Sequence, residues 1–212
     1  MYPDIEPYDH GMLDVGDGHR VYWEVCGDPA GKPALVVHGR RADRGPEHQH
    51  HRPPDRRFRD GVPEGQRDGN LALAYSCLLH DPDPAVREKA ARDWCDWEDT
   101  QVRTHPGRRP DAAYDDPVFR LRFARLVTHY WAHAAWLEED VLVREAGKLA
   151  GIPGVLIHGR LDISGPPDIA WRMAQAWPGA ELHLVEQEGH GAGGRRTTEL
   201  ILAALDHFAL RS

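Results

Sequence analysis

The chain has 212 residues and a formal net charge of -8, enough length for one domain or a small domain carrying an inserted cap. That acidic balance argues against nucleic acid as the main partner, because phosphate binding needs a net basic surface. No apolar run is long enough to span a bilayer, and the acidic, proline-rich start (Met1 to Asp9) lacks the basic and apolar regions of a signal peptide. The three cysteines, Cys26, Cys77 and Cys95, form no metal-type pair, so the expectation is a reduced, cytoplasmic chain with no cofactor and no metal.

The first predicted element is a hairpin. Two β-prone runs between Leu13 and Val25 flank Asp17-Gly18, a turn signal. Next comes Ala34-Leu-Val-Val-His38, a continuous apolar run of the kind buried on both faces of a parallel sheet. The character changes at Arg40. From there to Asn70 the clearly apolar side chains are Ala42, Phe58 and Val62, too few to offset ordering entropy, so this stretch is expected to be loop or disorder.

Globular sequence resumes at Leu71. Asp83-Pro84 has the form of an N-cap followed by proline at the first helical position, and Val86, Ala90, Trp94 and Trp97 then share one helical face. A second helix is expected over 117–136, with Phe119, Phe123, Leu126 and Tyr130 as its apolar stripe. The chain then alternates: strand at 154–158, helix at 168–177, strand at 181–185, closing helix at 197–208. Alternation of this kind predicts a parallel α/β sheet. The organisation expected is 1–39 as the N-terminal part of a sheet, 40–70 irregular, 71–150 helical, and 151–212 as the C-terminal part of the sheet.

Two of those strand ends carry chemistry-bearing residues. Asp162 follows the strand ending in Ile157-His-Gly-Arg160, and His190 follows the next strand in Glu188-Gly-His190. Sites of α/β sheets lie beyond the C-terminal ends of the strands. Acid followed by histidine is the chain order of α/β-hydrolases, in which serine comes first; the histidine takes the serine's proton and the acid holds the histidine's tautomer. Taken alone, an aspartate and a Gly-His pair at loop positions are more often a loop cap and a surface histidine than members of a triad.

The wider wording resembles the proline iminopeptidases, serine aminopeptidases of the α/β-hydrolase fold. The resemblance lies in Ile5-Glu-Pro-Tyr8, Asp14-Val-Gly-Asp-Gly-His-Arg-Val-Tyr-Trp-Glu24, Val36-Val-His-Gly39, Trp94-x-x-Trp97-Glu98, Ile157-His-Gly-Arg160 with Asp162, and Glu188-Gly-His190. It covers Tyr2 to Gly39 and Leu71 onward. It implies an α/β-hydrolase-derived, incomplete and mostly parallel sheet with a helical cap, and a peptide with an N-terminal proline as substrate. It also implies Asp162 and His190 as triad acid and base, Gly39 in the oxyanion loop, and Trp97 and Glu98 at the cap surface, where Glu98 would hold the substrate's free α-amino group.

Four departures stand against that inheritance. The Gly-x-Ser-x-Gly elbow that should precede Leu71-Ala-Leu-Ala-Tyr75 is replaced by Gly65-Gln-Arg-Asp-Gly-Asn70, and the chain's three serines are Ser76, Ser164 and Ser212, none at an elbow position. The oxyanion loop reads His38-Gly-Arg-Arg41, without the run of glycines that lets backbone N–H groups face an oxyanion. Val127 stands where the family places a second amine-binding glutamate. The chain is also shorter than the family.

Residues 45–57, GPEHQHHRPPDRR, can be encoded by synonymous codons that, read one base out of frame, spell DLSTNTTAHLIA, close to a family stretch that precedes the elbow. The segment therefore reads as family sequence translated out of frame, with a further deletion joining Tyr75 to Ser76. His48, His50 and His51 in it lack partners at zinc-ligand spacing, and its arginines lack the interleaved aromatics of a nucleic-acid patch. Three functions follow for comparison: a prolyl aminopeptidase, a non-catalytic remnant, and a peptide-binding module using the Trp94, Trp97 and Glu98 surface.

Overall fold

In a computed structural model the described residues are 6–16, 18–31, 56–102, 111–191 and 193–210. The chain divides into two compact units, Met1–His38 and Gly39–Ser212. Ala34–His38, Gly39 and residues 40–55, on which expectations were placed above, lie outside the described residues.

The first unit is an antiparallel hairpin of β1 (Asp9–Gly16) and β2 (His19–Val25). Met12 faces Tyr22 and Leu13 faces Val21, and the register slips between Asp14 and Gly16. The slip is local chemistry: the Asp14 carboxylate accepts the Gly16 N–H at 2.9 Å, and Gly16 and Gly18 take positive φ values of 94° and 77° that other residues avoid.

The second unit mixes helix and strand. Its helical part contains α1 (Arg56–Asp60), α2 (Leu71–Leu78), α3 (Pro84–Val102) and α4 (Pro117–Ala132). Short polar side chains start the last three. Asn70 accepts the Leu73 N–H at 3.0 Å, Asp83 the Ala85 N–H at 2.8 Å, and Asp116 the Val118 N–H at 2.9 Å. Each satisfies a backbone donor that the helix leaves orphaned, and proline follows both aspartates, where its missing N–H costs nothing. These helices enclose an aromatic core in which the Trp94 and Tyr75 side chains are fully buried.

Two expectations are corrected here. Residues 56–70 form a helix and turns on that core and are not an irregular segment: Phe58 and Val62 are 4% and 2% exposed. Phe58 lies flat against Tyr75 and Trp97, with ring centroids 4.5 and 4.4 Å apart, and the Tyr75 hydroxyl donates to the Phe58 carbonyl at 2.6 Å. One well-placed aromatic ring supplies apolar area that the composition of the segment understates. In α4 the buried residues are Arg120, Phe123, Ala124, Val127, Thr128 and Trp131, whereas Leu126 and Tyr130 of the expected stripe are exposed. The helix ends at Ala132 because Ala134, Ala135 and Trp136 turn left-handed, with φ of 49°, 52° and 56°.

After α5 (Val141–Glu145) come β3 (Gly154–Gly159), α6 (Pro167–Ala176), β4 (Ala180–Val185) and α7 (Arg195–Leu210). β3 and β4 pair in parallel, in register from Gly154 opposite Ala180 to Gly159 opposite Val185. α6 packs on both strands and α7 on β3. Among the described residues no helix is long and apolar enough to cross a membrane.

Candidate active site

The parallel register ends both strands at one level, so the loops that leave them start side by side. Two backbone bonds stitch these loops together: the Arg160 N–H donates to Val185 O and the Leu161 N–H to Glu188 O, both at 2.9 Å. Gly159 makes the approach possible. A Cβ there would stand 2.3 Å from Gly189 O and 2.5 Å from Glu188 O, so a side chain would push the loops apart.

Asp162 hangs from the first loop and is 5% exposed. Its Oδ1 accepts the Gly165 N–H at 2.7 Å. Its Oδ2 lies 2.8 Å from His190 Nδ1, on the second loop. A carboxylate only accepts, so the neutral imidazole carries its proton on Nδ1 and its lone pair on Nε2. His158, at the end of β3, adds a brace: its Nε2–H donates to Gly165 O at 2.6 Å, and the same nitrogen is 3.8 Å from Asp162 Oδ2.

Glu188 anchors the second loop from below. Its side chain is buried (7% exposed) and accepts both the Thr197 N–H, at 3.3 Å, and the Thr197 hydroxyl. The carboxylate thus caps the first turn of α7, where a negative charge also suits the helix dipole. Gly194 leaves room for it, since a Cβ there would fall within 2.1 Å of the carboxylate atoms. Neither this cap nor the His158 brace was read from the sequence. The signal for the first was present in Glu188 placed ahead of a double glycine and a Thr-bearing helix start.

The structure brings Asp162 and His190 together. It places the other residues elsewhere. Trp97 and Glu98 belong to α3 and to the aromatic core: Trp97 packs against Phe58, Trp94 and Trp131, with centroids 4.4 to 5.9 Å apart, and Glu98 is 3% exposed. Val127 is buried on α4. Burial, with the charge of Glu98 as a smaller contribution, pushes the neighbouring Cys95 thiol up to about 12. Gly39 lies outside the described residues.

Among the described residues no serine stands on a strained turn. Ser76 is inside α2, and Ser212 is outside the described residues. Ser164 follows Asp162 in the loop before α6, is completely buried, and is absent from the residues with left-handed φ, so it has neither the access nor the backbone of an elbow nucleophile.

No family model matches the chain. Among curated proteins it is similar to a probable proline iminopeptidase of Streptomyces coelicolor, 34% identical over 320 residues that span 99% of this chain and 98% of the relative. It is also similar to the proline iminopeptidase of Xylella fastidiosa strain Temecula1, 26% identical over 310 residues (98% of this chain and 99% of the relative), and to that of Neisseria gonorrhoeae, 34% identical over 146 residues (68% and 46%). Similarity of this extent and identity, end to end in the first case, means that the chain belongs to the proline iminopeptidase family.

Proposed function

We propose that this chain is an internally deleted member of the family that keeps the acid and base of an α/β-hydrolase triad and has lost the nucleophile, and that it does not hydrolyse prolyl peptides. The observation that carries the reading is the 2.8 Å Asp162–His190 pair at the ends of two parallel strands in a chain whose serines stand at no elbow. Asp162 is the orienting acid and His190 the base. In such a triad the base deprotonates a serine that attacks the acyl carbon. Without that serine the covalent route is closed, and only binding and oxyanion contributions remain.

The deletion is supported by length: the alignments with the first two relatives run over 320 and 310 residues, whereas the chain has 212. The parallel β3–β4 pair flanked by α6 and α7 suits the C-terminal part of an α/β-hydrolase sheet. Burial of Glu98, and the stacking of the half-buried Trp97 on Phe58, favour a packing role for them over a peptide-binding surface. Reading the coding DNA across 45–57 tests the frame; a gene whose bases cannot yield the family stretch one base out of frame removes that part of the reading.

The activity test is hydrolysis of a fluorogenic L-prolyl amide by the purified chain, beside His190→Ala. Equal, background rates are expected. Turnover present in the chain and lost in the variant would mean that another residue serves as nucleophile and would overturn the proposal.

A further inference from the structure

Beyond the hydrolase site, the C-terminal end of α4 carries a second cluster of imidazoles. His129 and His133 are four residues apart on the helix, so they stand over one another on one face. Both are exposed, and their ring centroids are 5.2 Å apart.

Three features give the pair the form of a ligand set. First, His133 Nδ1 lies 2.8 Å from the backbone carbonyl of His129. A carbonyl only accepts, so Nδ1 carries the proton and Nε2 presents its lone pair, the tautomer that metal-ligating histidines adopt when a backbone oxygen holds their other nitrogen. Second, the spacing fits. With a metal–nitrogen bond of about 2.1 Å and the ring centre about 1.1 Å further on, two imidazoles on one tetrahedral ion have centroids about 5 Å apart. Third, the chain bends sharply to fix the rings. Ala134, Ala135 and Trp136 are three consecutive non-glycine residues with left-handed φ, a costly conformation, and the bend lays the Trp136 indole parallel to His133, at 5° and 5.1 Å, and 5.1 Å from His129.

We propose that His129 and His133 form a two-imidazole site for a divalent transition-metal ion, zinc by its geometry. Among the described residues no third histidine, cysteine or carboxylate completes the set. The remaining coordination positions therefore belong to water or to a carboxylate of a bound molecule, and the site is of the open kind.

The test is calorimetric titration of the full chain with zinc chloride, compared with His129→Ala, His133→Ala and a triple variant, His48→Ala/His50→Ala/His51→Ala, that removes the other histidine cluster. One ion per chain is expected, with affinity lowered about tenfold or more in each single variant and unchanged in the triple variant. Because His129 and His133 are exposed, the far-ultraviolet circular dichroism of the single variants should match that of the parent, which separates lost binding from lost folding. The proposal is overturned if the parent binds no zinc, if either single variant keeps the parent affinity, or if the triple variant abolishes binding.

Discussion

Asp162 Oδ2 and His190 Nδ1 lie 2.8 Å apart although 28 residues separate them in the chain. They meet because β3 and β4 end level, at Gly159 and Val185, and because backbone bonds from Arg160 and Leu161 tie the two loops together beyond the strands. Asp162→Ala would leave the half-buried Gly165 N–H and the imidazole Nδ1–H without their acceptor. A loss of about 2–3 kcal/mol is expected from two charge-assisted bonds of this kind, read from the urea midpoint. An unchanged midpoint would mean that the pair adds nothing to the fold.

Gly159 allows the loops to approach. Gly159→Ala sets a Cβ against two carbonyl oxygens and is expected to cost about 3 kcal/mol or more, in the range of severe overpacking. Gly147→Ala is the matched control, because a Cβ there meets nothing within 4 Å; a change within about 0.5 kcal/mol is expected. Similar effects for the two substitutions would contradict the close approach.

Phe58 is expected to anchor the helical part. Phe58→Ala removes a ring stacked on Tyr75 and Trp97 and should destabilise by about 3–5 kcal/mol. Leu126→Ala, at an exposed position on α4, should change stability by less than about 0.5 kcal/mol. Thermal or urea unfolding followed by tryptophan fluorescence distinguishes them, and a mild effect of Phe58→Ala would return residues 56–70 to the irregular segment expected from composition.

The thiols should separate by burial. Cys26 and Cys77 are exposed and Cys95 is buried, so a thiol reagent at pH 8 should label two cysteines in the native chain and the third only on unfolding. Burial raises the Cys95 pKa from 9.0 to about 12. Between these values the folded chain holds the proton and the unfolded chain releases it, so the thiol's contribution is whole below pH 9 and declines as pH rises toward 12. Cys95→Ala should flatten that part of the stability profile. Rapid native labelling of three thiols would show that the core around Cys95 opens freely.

Much of the local structure was legible because it depends on near neighbours. The Asp83-Pro84 helix start, the glycine turn of the hairpin and the apolar runs of β3 and β4 follow from caps, backbone freedom and periodicity that a few consecutive residues carry. The stripe of α4 was misread because Phe119, Phe123, Leu126 and Tyr130 meet helical spacing, yet the neighbours α2 and α3 contact the face that carries Ala124, Val127 and Trp131. Spacing states that a face exists, and packing selects which one.

The sequence by itself determined the family wording, the absence of a Gly-x-Ser-x-Gly elbow, and the order of Asp162 before His190. The tertiary structure decided which residues touch. It joined Asp162 to His190 through a parallel register, set Glu188 under the histidine loop as the cap of α7, and drew Phe58 out of an arginine-rich stretch into the aromatic core. The Asp162–His190 and Phe58–Trp97 contacts span separations in the chain that no local propensity encodes, and they exist because burial of apolar area and satisfaction of buried polar groups are settled only when distant segments pack together.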